Sequence, residues 1–415
     1  MATKFSSPPD QRFECRDCPA RCCRVPWQIK FSTEEAERYI AEPWVQERAG
    51  IDGLNVIAGG VLPMREHERR LQCVFLDDDH LCGLQKQFGH NYIPSACQAF
   101  PFGFLKNEKG LVVAQLSHLC PSIRDNYGKP VDKQLKAKLS QKGEAERMTT
   151  AMSTVGRVML SQKQYLKVVR SWEKQLRAEL SPAEVLAQLY DQLSVFDSAL
   201  PEGVERVPDK MIETALQGAR EHLAEPLESA PKPSFHARAL FSYLLGNLCY
   251  PSRVRASHRV GKKAMFLRLR SFANKMAWMR DRGTVDMLFT AGAFKLQGVR
   301  KVERFLHQPA GGLVRDYLLT MIERRQLFSK PRYLMDALVD MCLATVLVSR
   351  FARCAALAHG RDTVTPADVR DGISVAELVL ISHVSRDAEG ATLENLRMLM
   401  VADRDRLRAL LGSEA

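Results

Sequence analysis

Four cysteines fall within nine residues, CRDCPARCC from Cys15 to Cys23. Thiols spaced this closely serve as a disulfide staple, a metal site or a redox pair. Of the 11 cysteines, Cys15, Cys18, Cys22, Cys23, Cys73, Cys82, Cys97 and Cys120 lie in the first 120 residues. Only Cys249, Cys342 and Cys354 lie beyond them. The opening MATKFSSPPDQRFEC has neither an apolar secretory core nor an arginine-rich amphipathic presequence, so a cytoplasmic location is expected. A reducing cytosol disfavours disulfides, and the thiol cluster therefore reads as a metal or iron–sulfur site before a disulfide framework.

Two cysteines separated by two residues can turn their sulfurs toward one metal across a tight turn, which Cys15 and Cys18 satisfy. A third ligand is available from Cys22 or Cys23, and a fourth from Cys73, Cys82 or Cys97. Adjacent side chains diverge along most backbones, so Cys22 and Cys23 are not both expected on one ion, and one of them can serve a second site. The eight thiols allow two four-thiolate centres, or one centre with four accessory thiols. Arg16, Arg21 and Arg24 supply positive charge that favours thiolates. The plain alternative is a closed zinc knuckle that staples a small, core-poor domain.

The order C-x2-C-x3-CC, a capped helix, a C-x8-C hairpin and IPSACQAFP around Cys97 resembles the cysteine-cluster family described as zinc- or iron-chelating, to which flagellin lysine-N-methylase is similar in its N-terminal region. The likeness covers about the first 125 residues. The first spacing is one residue longer than the family's usual C-x2-C-x2-CC. Gln98 and Phe100 stand where the later motif carries arginine and tyrosine, while Pro94, Cys97 and Pro101 keep register. The resemblance implies a metal or 4Fe–4S cluster domain joined to a helical domain, and tips the choice between iron–sulfur and zinc toward iron–sulfur. It admits S-adenosylmethionine-dependent lysine methylation of a protein substrate such as flagellin.

The elements that must position these thiols are short. Ser32 to Glu35, STEE, is a capping box that starts a helix. CVFL and LCGL flank Asp77, Asp78, Asp79 and His80, which suggests a hairpin with Cys73 and Cys82 on opposite arms. LVVAQLSHLC reads as a strand ending at Cys120. The polar, lysine-rich run from Pro121 to Gly143 marks a boundary. Beyond it, Ser181-Pro182-Glu184 and Thr365-Pro366-Asp368 open helices, and Gly360 closes the one before the second. The expected fold is mainly α, a small irregular α+β cysteine-rich metal-binding domain over 1–125, a linker over 126–150 and an all-helical domain over 151–415. The most apolar run, Ala337 to Val348, contains Asp340 and is short of the roughly 20 apolar residues of a membrane span, so it reads as a core helix.

Other chemistry is sparse. No glycine-rich turn of the doubly wound nucleotide-binding kind occurs, RVGKKA around Gly261 lacks the pattern of a phosphate loop, and the radical motif C-x3-C-x2-C is missing. No catalytic residue can be named. His118 could ligate metal or carry a proton, but a histidine at a strand end is more often simply hydrogen-bonded. Asp77 to Asp79 lack the spaced ligands of a calcium loop and fit a turn. Cys342 and Cys354 are about 18 Å apart on one helix and read as core, as does Cys249.

The net charge of +12 favours an acidic partner, an anionic surface or, as a lesser candidate, nucleic acid. Its densest patch runs from Arg253 to Arg282, with ten Lys or Arg and a single acidic residue, Asp281. Met265, Leu269, Phe272, Met276 and Met279 recur there at helical spacing, a stripe expected to face the core.

Overall fold

The computed structural model describes residues 4–8, 10–15, 20–24, 29–67, 70–106, 110–142, 145–147, 152–153, 158–202, 204, 206–222, 226–230, 232–235, 238–239, 241, 262–285, 287, 290, 292–323, 333–380 and 403–414. Among the described residues the fold is mostly helical, 61% helix and 11% strand. Cys18, Arg16, Cys249 and Gly261 fall outside the described residues, as does the basic patch before Lys262.

The capping box forms as expected. Ser32 accepts from the Glu35 N–H at 3.2 Å and Glu35 accepts from the Ser32 N–H at 3.0 Å, opening α1 (Thr33–Ala41). Pro43 then starts α2 (Pro43–Ala58). Strand β1 (Phe5–Ser6) runs parallel to β6 (Val112–Leu116); β6 pairs antiparallel with β5 (Phe102–Lys106), and β5 parallel with β8 (Glu146–Arg147). Strand β2 (Arg12–Phe13) pairs with β7 (Lys129–Pro130), and β3 (Met64–His67) with β4 (Arg70–Cys73). Short helices α3 (Gly83–Phe88), α4 (Ser95–Ala99) and α5 (Pro121–Arg124) fill the turns between these strands.

The stretch expected as a linker is built into this N-terminal part. It supplies β7, β8 and α6 (Leu135–Lys142), and Val131 and Leu135 are buried in one core with Phe13, Phe102 and Cys120. A run rich in lysine looks like a linker in composition, but every third or fourth residue here is apolar, which is enough to bury one helix face.

After β9 (Met152–Ser153) and β10 (Met159–Leu160) come α7 (Gln162–Leu176), α8 (Pro182–Ser198), α9 (Asp209–Glu221) and α10 (Lys262–Arg280). The chain continues through β11 (Thr284–Val285), β12 (Phe294–Lys295), α11 (Gly311–Glu323), α12 (Leu334–Ala358), α13 (Pro366–Leu380) and α14 (Arg404–Gly412). The expectation of an all-helical region is corrected by the two small ladders β9–β10 and β11–β12. Gly283, at φ 106°, turns the chain from α10 into β11 in a conformation that other residues rarely adopt.

Helix α12 is the centre of the larger core. It is long and apolar enough to cross a membrane by length and composition, yet 83% of its apolar window is buried inside the protein. A helix that is apolar on all sides must be covered on all sides, and α8, α11, α13 and α14 cover it. Gly372 permits the closest approach: a Cβ there would stand 2.6 Å from the Val348 carbonyl oxygen on α12.

Candidate metal centre

Cys22 and Cys23 lie in a single 3₁₀ turn, Arg21–Cys23, after Ala20 in the left-handed region at φ 51°. The Cys23 N–H donates to the Ala20 carbonyl at 3.0 Å. This tight winding overturns the expected divergence of the neighbouring thiols, because their sulfurs stand 3.8 Å apart. A tetrahedral ion with metal–sulfur bonds of about 2.3 Å has ligand sulfurs about 3.8 Å apart, so this one pair matches such an edge.

Cys73 ends β4, with Met64 as its strand partner. The chain then turns through Asp77 to Leu81 and returns at Cys82, held by a single bridge between Leu76 and Cys82. The expected hairpin is therefore present as a turn, while the ladder beside Cys73 runs to the upstream strand. Cys97 sits inside α4, and the start of that helix is tied to α1 by Glu35. One Glu35 oxygen caps its own helix and the other accepts the Ser95 N–H at 2.7 Å. Gln98 pins the preceding turn by donating to the carbonyls of Asn91 at 3.1 Å and Ile93 at 2.7 Å.

These segments bring five thiols together. Burial pushes Cys73 up to about 12, with the charge of Cys82 and then of Cys22 adding to it. Burial raises Cys97 well above the ordinary thiol range, reinforced by Cys73, Cys22 and Cys82. Cys82 is raised by burial and by Cys22, against N–H groups of Gln85 and Leu84 that lower it. For Cys23 the hydrogen bond with Cys22 acts downward, but burial and the thiols Cys73, Cys97 and Cys82 together leave it raised. Cys23 and Cys97 are half-buried and pack against the same core as Cys73.

Cys120 belongs to a second layer. It precedes α5, is buried with Phe13 and Phe102, and is raised by burial, with Cys22 and the exposed Cys15 contributing. Among the described residues no two cysteines are joined by a disulfide. Cys342 and Cys354 lie fully buried on α12, as expected of core residues.

Among the described residues no three His, Cys, Asp or Glu side chains stand close enough together to hold a single ion. The thiols are thus gathered within electrostatic reach of one another without being drawn to the spacing of one mononuclear site. As thiolates they would repel one another, which a bound cation would relieve, and an all-sulfur donor set suits a soft metal rather than calcium or magnesium.

Arg21 forms an ion pair with Asp371 on α13, and Arg24 bonds His80 Nδ1 at 2.8 Å. Arg65, which acts to lower Cys73, and Lys138, which senses Cys15, were missed. Arg65 follows Met64, the strand partner of Cys73, so only knowledge of the ladder register would have placed it. Asp77 and Asp79 are engaged by Arg48 and Lys86, which supports their reading as turn residues.

The cysteine region is braced against α13. The His118 N–H donates to Glu377 Oε1 at 3.0 Å, and the Tyr317 hydroxyl donates to Glu377 Oε2 at 3.1 Å. The His118 and Tyr317 rings meet edge to face, 5.4 Å between centroids. Arg124 donates to Ser374 Oγ at 2.8 Å and to the Arg370 carbonyl at 3.1 Å. No family model, curated protein or solved structure matches this chain.

Proposed function

We propose that the chain is a metal-binding protein whose N-terminal thiols hold an iron–sulfur cluster. The observation that carries this is the packing of Cys23, Cys73, Cys82 and Cys97, from four separate chain segments, in one core, with the Cys22 sulfur 3.8 Å from that of Cys23. Sulfurs held near one another, but too far apart for three of them to share one ion, suit a centre of several iron atoms better than a lone zinc. Cys15, Cys18 and Cys120 are the remaining candidate ligands or accessory thiols.

In this reading residues from 1 to about the end of α6 form the cluster domain, and the helices from α7 onward form a second domain around α12. Separate hydrophobic cores support the division. Methyl transfer to lysines, admitted by the resemblance, is not part of the proposal, because no step of it can be assigned to a residue of the site.

The test is metal and acid-labile sulfide analysis of the full chain purified without oxygen, together with its visible spectrum. Iron and sulfide in matching amounts, with broad absorption near 400 nm bleached by reductant, are expected, as for thiolate-bound clusters of about this type. Stoichiometric zinc in a colourless protein overturns the iron–sulfur assignment and leaves a zinc site. Absence of both overturns metal binding.

A further inference from the structure

The stripe expected to face the core does the opposite over its first half. Met265, Leu269 and Phe272 on α10 are 61%, 61% and 64% exposed. At about 100° per residue they share an arc of about 60°, whereas Trp278 lies about 150° round the helix from its centre. Trp278 is 2% exposed and packs in the larger core, with the Arg350 guanidinium 6.0 Å from its ring. The helix is therefore anchored by the face opposite the stripe, and the three apolar side chains stand out from the surface.

Charge on this helix has one sign. Lys262–Arg280 contains six Lys or Arg and no Asp or Glu. By helical register Lys275 and Arg280 fall on the two margins of the stripe. The nearest acid in sequence, Asp281, is already paired with Arg300 at 2.6 Å and Arg350 at 3.0 Å, so it does little to offset the helix charge.

We infer that α10 docks on an anionic lipid surface, Met265, Leu269 and Phe272 entering the interface and the flanking lysines and arginines meeting the lipid phosphates. Protruding side chains on the outer face of one helix require a partner with a ready groove if that partner is a protein. A bilayer interface accepts them without one, and long basic side chains can reach its headgroups while their stems lie along the apolar layer.

The experiment is co-sedimentation of the full chain with large vesicles of phosphatidylcholine alone or with about 30% phosphatidylglycerol, at salt from about 0.1 M to about 0.5 M. The expected result is pelleting with the phosphatidylglycerol vesicles, weakening as salt rises, and little with phosphatidylcholine alone. Phe272→Ser should weaken the partition about tenfold, and the triple change with Met265→Ser and Leu269→Ser should abolish it. Exposed positions tolerate serine, and an unchanged far-ultraviolet circular dichroism spectrum verifies that the variants fold. A wild-type chain that stays in the supernatant with anionic vesicles overturns the proposal, whether or not it binds an acidic protein. Equal pelleting of the triple variant also overturns it, by reducing the attraction to charge alone.

Discussion

The backbone N–H of His118 donates to the fully buried carboxylate of Glu377, 259 residues further along the chain. The other oxygen of that carboxylate takes the Tyr317 hydroxyl, so a single side chain joins the segment leading to Cys120 to α11 and α13. Removing the acceptor strands two buried donors. Glu377→Ala should cost about 3 kcal/mol of stability, and Glu377→Gln, which keeps one acceptor, about half as much. Urea unfolding followed by circular dichroism measures both. Equal losses for the two variants would mean that cavity formation, rather than the hydrogen bonds, sets the cost.

Substitutions at the thiols separate ligands from core cysteines. Cys22→Ser, Cys73→Ser and Cys97→Ser should each lower bound iron by half or more, because a missing ligand leaves a cluster exposed to loss. Cys342→Ser should leave iron content at the wild-type value while reducing stability by about 1–3 kcal/mol, the effect of a hydroxyl placed in a fully buried apolar site. Iron per chain, assayed after purification without oxygen, decides between the two classes. Uniform behaviour across all four variants would remove the ligand assignment.

Glu35 is a sharper probe of how the site is positioned. Glu35→Gln retains an oxygen for one of the two N–H groups of Ser32 and Ser95, whereas Glu35→Ala releases both. The alanine variant should lose about 1 kcal/mol through the cap alone, with a further loss from the freed start of α4. Because α4 carries Cys97, iron retention under a chelator should fall in the alanine variant and recover in the glutamine variant. Identical iron retention in the two would show that α4 is held by other contacts, such as those of Gln98.

Local grammar was legible in the sequence. The cap at Ser32, the prolines opening α8 and α13 and the apolar run of α12 each depend on neighbours within a few residues, and each element formed where its signals stand. Two features were not legible for the same physical reason, that they depend on what packs from a distance. The spacing of Met265, Leu269 and Phe272 is that of a buried face, but Trp278 outcompetes it for the core because one indole buries more apolar area than any residue of the stripe. The Cys22–Cys23 pair looked divergent because the rule for adjacent side chains assumes helix or strand geometry, which the left-handed Ala20 and its 3₁₀ turn replace. Gathering of thiols near Cys97 was foreseeable from their number. That Arg65 stands near Cys73 required the strand register.

Alkaline pH should destabilise the metal-free protein through its buried thiols. Burial holds Cys354 up at about 12, against an ordinary value of 9.0, with Arg350 acting downward and Glu414 upward. Between these values the unfolded chain has released the proton that the folded chain still binds. Stability from this group is therefore complete below about pH 9 and is lost as pH rises toward 12, at a slope of at most about 1.4 kcal/mol per pH unit. Cys73, also pushed up to about 12, adds a second loss of the same sign in the metal-free state. A bound metal would hold Cys73 as thiolate and remove its share, while Cys354 on α12 would keep its own. Urea midpoints at about pH 9 and about pH 11 should thus fall more steeply for metal-free than for metal-loaded protein. Cys354→Val should flatten both curves by a similar amount, and Cys73→Ser, which loses metal, should flatten the metal-free curve. Identical slopes with and without metal would place Cys73 outside the set of ligands.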